Sequence, residues 1–505
     1  MSSLVVPVTG GSVRGTTRRG LRMWRGIPYA QAQRFRAPTP PEPWSGVRDA
    51  HAFGPVAPQD RKGQFLGPKP HIPISEDCLS INVIAPPGDA VNLPVMVFIH
   101  GGAYSVGSAR EIPHLGEVLV RRGDVVFVNF NYRLGALGYL DFTSFATPDH
   151  PIENNLGLRD QVAALEWIRD NIAGFGGDPS NVTLFGESAG ANAVTTLLTV
   201  PRARGLFARA IAQSSPANAI YGPELTATWA GEYLELLSEV VDDTSTDSTS
   251  HEDAAELLTH ASLDDLVTAT TRLQLRSPDA WPGTIALCPV IDGDFLPERP
   301  LDAFKAGRAH PVPLIIGTND REGSLFRGRL NILATTPSRI RAIFARTKKK
   351  ARKAVKAQYP GLPARRPAAD FGGDYAFWYP SVKVAERHAR FAPVWFYRFD
   401  IAPRLVRLAG FDATHGLELF ALFDRMDGRF GRTMGLLGGR RSFKRAGRRM
   451  QNHWLAFARG ARPEDSWPEY TPRARRALII DDVDRVESDP RRERREAWQD
   501  FVPHV

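Results

Sequence analysis

Five short apolar runs punctuate the chain, at 95–99, 125–128, 182–185, 314–316 and 394–397. Each is continuous rather than alternating, and each is bounded by turn-forming residues. That pattern predicts strands covered on both faces, as in a parallel sheet sandwiched between helices. Helical periodicity lies between them. Over 158–172, Leu158, Val162, Leu165, Ile168 and Ile172 recur at spacings of three and four, which places them on one helix face, and Gly174 and Gly176 follow as stop signals. A second helix is predicted over 191–198, closed by Pro201. A third amphipathic stretch covers 450–458. The alternation of strand and helix predicts an α/β architecture with a mostly parallel central sheet flanked by helices. No internal repeat is present.

Two stretches break the pattern. Residues 242–256 (DDTSTDSTSHEDAAE) are polar and acidic, and predict a surface loop. Residues 339–358 carry Lys348, Lys349 and Lys350 with further Lys and Arg at helical spacing, which predicts a solvated helix face. Contact with an anionic membrane or nucleic acid is the sharper alternative. The charges lack the interleaved aromatics that stack on bases, so no nucleic-acid partner is expected.

Composition sharpens this picture. With 505 residues and 43% hydrophobic side chains the chain is long enough for a large core, and it is expected to form a single domain over 1–505. The 44 Gly and 40 Pro predict many turns. A net charge of +9, from 64 Lys and Arg against 55 Asp and Glu, is a mild excess at this size. Cys78 and Cys288 are too few for a disulfide framework or a zinc site. The apolar stretch from Leu4 to Val8 is short and broken by Pro7, unlike a signal-peptide core, and no run is long enough to span a membrane. A cytoplasmic protein without integral membrane association is therefore expected.

The strongest chemical signal is Gly186-Glu187-Ser188-Ala189-Gly190. It follows the apolar run 182–185 and precedes an Ala-rich helix. In that setting G-x-S-x-G predicts a nucleophile elbow, a tight turn whose flanking positions must lack bulk and which presents Ser188 at a helix N-terminus. A second signal is His100-Gly101-Gly102-Ala103-Tyr104, directly after the run 95–99. Small residues after a strand leave backbone N–H groups free to hold an oxyanion, and the N–H of Ala189 adds one more. His100 is expected to be a packing or gating side chain. For the acid, the residues alone do not choose among Glu322, Asp320 and Asp292. For the base, His415 lies in a predicted loop before an apolar helix. His388 sits in a charged helical stretch, His453 on the amphipathic stretch, and His504 near the end of the sequence.

These motifs, with GIPYA at 26–30, SEDCLSIN at 75–82, NFNYRLGALG at 129–138, an almost unbroken run from Asn155 to Gly190, PVIDG at 289–293, GTNDREGSLF at 317–326, THGLELFALF at 414–423 and WLAFARGARPEDSWP at 454–468, resemble the type B carboxylesterases of the α/β-hydrolase fold. That group includes cholinesterases and bacterial para-nitrobenzyl esterases. The resemblance implies a serine carboxylesterase working through an acyl-enzyme on a small-molecule ester. It implies Ser188 as nucleophile, Glu322 as triad acid and His415 as base. It also implies an oxyanion hole at Gly102, Ala103 and Ala189, with Glu187 and Ser214 around the histidine. No metal or organic cofactor is implied. The pocket walls are expected from helical insertions within about 215–290 and 325–410.

Some features depart from the family. Its secreted members pair the cysteine of the Glu-Asp-Cys segment with an upstream one, but none lies between His51 and Asp77, so Cys78 is expected to be a free thiol. That region also lacks a tryptophan to hold a choline cation, so acetylcholinesterase activity is not expected. The same triad on amides, carbamates or thioesters is an alternative reading. A non-catalytic binding member of the fold is the rival from another class, and an intact Ser188, Glu322 and His415 discriminate against it.

Overall fold

The computed structural model describes residues 4–61, 68–111, 115–241, 251–326, 331–460 and 462–501. Eleven strands form its main sheet: β1 (Thr16–Arg18), β2 (Leu21–Pro28), β3 (Ser80–Ala85), β4 (Leu93–Ile99), β5 (Val126–Phe130), β6 (Gly177–Glu187), β7 (Arg209–Gln213), β8 (Leu314–Asn319), β9 (Val394–Phe399), β10 (Arg476–Ile480) and β11 (Arg485–Ser488). Their spatial order is β11-β10-β9-β8-β7-β6-β4-β5-β3-β2-β1. The run from β10 to β5 is parallel throughout, and the strands outside it pair antiparallel. All five predicted apolar runs fall in the parallel part. Val95, Val97, Ile99 and Leu184 pack into one core while Met96, Phe98, Phe185 and Ile315 pack into another on the opposite face of the sheet. A strand buried on both sides has no polar face to alternate, which is why these runs are continuous.

The predicted helix over 158–172 is α1 (Leu156–Asn171), with Leu158, Val162, Leu165 and Ile168 buried. Its start is tied down by two contacts. Arg133 and Asp160 form a buried bidentate ion pair, with Nε to Oδ2 at 2.8 Å and Nη2 to Oδ1 at 2.6 Å. The Asn155 side chain donates to the Val290 carbonyl (2.9 Å) and accepts from the Val290 N–H (2.9 Å). Three of the sequence motifs, at 129–138, 155–190 and 289–293, thus meet at one helix N-terminus.

Within 242–256, positions 242–250 lie outside the described residues. The remainder is not loop but part of a helix, His251–His260, because Ala254, Ala255 and Leu258 supply an apolar face for burial. The basic stretch 339–358 divides into Pro337–Ala345 and Lys349–Ala357. The second of these buries Ala351 and Val355 and leaves Lys349, Lys350, Lys353 and Lys356 exposed, a solvated face as expected. Arg339 differs from its neighbours: it is buried and donates to Asp279 at 2.7 Å. No helix among the described residues is long and apolar enough to cross a membrane.

Candidate active site

Ser188 stands between β6 and α2 (Ala189–Leu197), in a strained positive-φ conformation with φ 59° and ψ −124°. The helix begins at Ala189, two residues earlier than the spacing predicts, so its unsatisfied N–H groups start immediately beside the serine. A side chain at Gly190 would lie 2.1 Å from the Ile99 carbonyl oxygen, and one at Gly186 would lie 2.6 Å from the Gly190 backbone. The elbow therefore tolerates only glycine at both positions, because the contacts are backbone and cannot swing away. The Ser188 N–H donates to the Gln213 carbonyl on the adjacent β7 (2.9 Å), which fixes the turn against the sheet.

The loop after β4 is bent to match. Gly102, Ala103 and Tyr104 all have positive φ (112°, 52° and 56°), which is strained for the latter two. Tyr104 holds them there. Its hydroxyl donates to Asn192 Oδ1 (2.8 Å), its ring stacks on Tyr139 at 3.9 Å, and its carbonyl accepts from the Gly135 N–H (2.7 Å). The N–H groups of Gly102 and Ala103 donate to no group among the described residues. A side chain at Gly101 would lie 3.1 Å from Ser188 Cβ, so this loop and the elbow are in direct contact.

Glu322 lies just past β8 and is buried. One of its oxygens, Oε1, accepts from the Asn319 N–H and from the Ser214 hydroxyl, both at 2.6 Å. The other, Oε2, meets His415 Nδ1 at 2.6 Å. A carboxylate acceptor at Nδ1 fixes the tautomer, so in the neutral imidazole the proton sits on Nδ1 and Nε2 keeps its lone pair. Nε2 makes no hydrogen bond among the described residues. The nearest charged atom to it is Oε1 of Glu187, the residue before the serine, at 3.2 Å. Ser188, His415, Glu322, Glu187 and Ser214 thus gather at one place, while a closed Ser188–His415 hydrogen bond is not made. Such bonds are commonly loose without substrate.

The site is strongly acidic for a buried one. Burial pulls the His415 imidazole down, but Glu187 and Glu322 more than offset this and push it up to about 9. Burial and the facing Glu322 push Glu187 up to about 7, and burial with Glu187 and Glu322 raises Glu418 to about 8. Protons held by these carboxyls weaken their pull on the imidazole, so the group titrates as a unit.

The competing candidates have other partners. Asp320 pairs with Arg491 (2.8 Å), and Asp292 accepts from Asn155 and from the Asp294 and Leu296 N–H groups. His388 bonds the Val312 carbonyl, and His453 packs against Trp467. His504 lies outside the described residues. His100 stacks on Tyr132 at 4.4 Å with Nδ1 against the Gly101 carbonyl, and burial pushes it down to about 4, which suits the packing role expected of it.

Three contributors escape sequence reasoning. Glu418 is buried, bonded by Asn319 and Gln213, and faces the histidine from the next helix, Leu417–Leu422. Its signal was a lone carboxylate between Leu417 and Leu419, three residues after His415. Phe377 stacks on His415 at 4.3 Å and Phe326 lies at 5.1 Å. Phe377 is carried on a π-helical turn, Asp374–Trp378, a local irregularity with no motif in sequence.

The profile of the carboxylesterase family matches residues 2–498. The chain is 36% identical over 503 residues to the para-nitrobenzyl esterase of Bacillus subtilis, covering 98% of both chains. It is 32% identical to an acylcarnitine hydrolase of Rattus norvegicus, covering 93% of this chain and 86% of the relative. A solved thermophilic para-nitrobenzyl esterase superposes with a TM-score of 0.86 at 35% identity, over 98% of this chain and all of the other. The fold is the α/β-hydrolase fold. The chain belongs to the carboxylesterase family and is a serine hydrolase of carboxylic esters.

Proposed function

We propose that Ser188 is the nucleophile, His415 the general base and acid, and Glu322 the carboxylate that orients it, within a single catalytic domain. His415 Nε2 takes the hydroxyl proton as Ser188 Oγ attacks the ester carbonyl. Glu322 holds the tautomer and stabilises the imidazolium without accepting its proton. The N–H groups of Gly102, Ala103 and Ala189 receive the oxyanion. His415 then protonates the departing alcohol, and water repeats the sequence on the acyl-enzyme to release the acid.

The observation that carries this is the bonded chain from Ser214 and Asn319 through Glu322 to His415, ending on an Nε2 that makes no hydrogen bond among the described residues and faces Glu187, the residue before Ser188. Ser188→Ala is expected to lower kcat on an aryl ester on the order of 10⁶-fold. Near-normal turnover by that variant would remove the assignment.

Phe377 and Phe326, which cover His415, continue into an apolar cluster with Leu333 and Ala376, and these walls favour an uncharged substrate. A series of aryl esters of increasing acyl length, with matched amide and thioester analogues, separates ester preference from the alternatives; faster amide turnover would reverse it. We also assign the enzyme to the cytoplasm. Both thiols are buried and unpaired, and burial raises each of them. Recovery of the protein from the extracellular fraction of its producing cells would overturn this.

A further inference from the structure

Six leucine and phenylalanine side chains are exposed among the described residues, and four of them, Leu408, Phe430, Leu436 and Leu437, fall between positions 408 and 437, from 50% to 73% exposed. They belong to one surface. Helix Arg404–Leu408 meets the loop 435–439 through a hydrogen bond from the Arg404 N–H to the Gly438 carbonyl (3.2 Å). Helix Arg429–Met434 sits beside it, seated through Gly431 and Met434, and its outward Phe430 packs at 5.4 Å on Phe420 of Leu417–Leu422. Leu436 and Leu437 project from a loop flanked by Gly435 on one side and by Gly438 and Gly439 on the other. Solitary exposed leucines are ordinary, but a cluster of this kind marks a contact surface.

The polar setting identifies the partner. Arg404 and Arg407 lie on the first helix, Arg429 and Arg432 on the second and Arg441 two residues past Gly439; all are exposed, and none pairs with a carboxylate among the described residues. The nearby Asp427 is already taken by Arg440 and Lys444, and Asp424 by Lys444. A second copy of the chain, docked face to face, would set these unpaired cations against their own kind. A nucleic acid would satisfy the guanidinium groups but leave three aliphatic leucines with nothing to stack on. An anionic bilayer satisfies both: leucine and phenylalanine enter the acyl boundary while arginines meet the headgroup phosphates.

We propose that the surface formed by helices Arg404–Leu408 and Arg429–Met434 and the loop 435–439 is a peripheral docking site for anionic phospholipid membranes. It flanks the loop 409–416 that carries His415, so a docked enzyme has its catalytic segment next to the lipid phase, where apolar esters partition. Docking rests on exposure and charge alone and does not depend on the catalytic assignments.

The test is co-sedimentation of the full chain with vesicles of phosphatidylcholine, with and without phosphatidylglycerol, at low and high salt. Binding is expected only with phosphatidylglycerol and is expected to fall as salt rises. Leu436→Ser with Leu437→Ser, and Arg429→Glu with Arg432→Glu, are each expected to weaken it, by about fivefold or more for each arginine lost. Both double variants retain hydrolysis of a water-soluble aryl ester, which shows that they are folded. Lys349→Glu with Lys350→Glu, on the other basic face, binds like the parent. The proposal fails if neutral and anionic vesicles bind equally, or if both double variants bind like the parent. It also fails if the Lys variant alone loses binding, or if the leucine variant abolishes a dimer in solution and leaves vesicle binding unchanged.

Discussion

At the level of single residues, the unusual feature is how many acids face one imidazole. Glu187, Glu322 and Glu418 are all buried within reach of His415. In the proposed mechanism protonated His415 cannot accept the serine proton, so activity is expected to be lost as pH falls through its pKa. Because the surrounding carboxylates raise that pKa, the acidic limb of the kcat/KM profile is expected above the ordinary histidine value of about 6.5. Glu187→Gln removes the carboxylate nearest Nε2, and its limb is expected to move to lower pH; a limb that stays in place or moves up would contradict this electrostatic reading. Ser214 acts differently, since its hydroxyl donates to Glu322 (2.6 Å) and makes no other hydrogen bond among the described residues. Ser214→Ala leaves Glu322 with one donor fewer on Oε1, and removing such a charge-assisted bond costs about 1.5–3 kcal/mol where it is buried. The expected result is a lower kcat with KM nearly unchanged, whereas a selective rise in KM would place Ser214 against substrate instead.

At the level of elements, the site is a set of strand ends and the turns that follow them. β6 delivers Ser188, β4 delivers the strained Gly102–Tyr104 turn, and β8 delivers Glu322. Gly190→Ala is expected to cost about 1–3 kcal/mol through overpacking, and to inactivate the enzyme because the displaced backbone is that of β4 and the elbow. Thermal melting and ester turnover on the purified variant check both; a fully active variant would mean the turn is looser than its contacts require. Asp160→Ala leaves Arg133 buried without its partner and is expected to cost about 3–5 kcal/mol, read by urea unfolding. The covered strands were visible in the sequence because their runs are uninterrupted. β3 was not, because Asn82 interrupts it; that side chain is buried and bonded to Asn129 Oδ1 (3.0 Å) across the sheet. β7 was equally hidden, since Arg209 and Gln213 end a strand of small residues and spend their polarity internally, on the Ala458 carbonyl and on Glu418 and Trp454. Ser188 was legible from local rules, because a tight turn constrains its own neighbours. Glu322 and His415 are 93 positions apart, and no local rule joins them; family resemblance did that. Glu418 and Phe377 depend on how helices pack over the sheet, which periodicity does not specify.

At the level of the whole molecule, the parallel sheet holds these strand ends in one row and places the insertions above them. Cys78 and Cys288 are sealed in the main core, and burial raises both thiols. They are expected to resist a thiol reagent in the native enzyme and to react together once it is unfolded in denaturant; rapid reaction of either in the native state would show that the core opens locally. The central claim is that one hydroxyl, raised at the end of a central strand and served by a single imidazole, becomes acylated in turnover. The most direct measurement is to treat the enzyme with a fluorophosphonate, follow esterase activity, and locate the adduct by peptide mass spectrometry. One phosphonyl group on the peptide containing Ser188, formed in step with the loss of activity and much more slowly in His415→Ala, is the predicted result. An inactivated enzyme labelled at another residue, or an active enzyme fully labelled at Ser188, would contradict it.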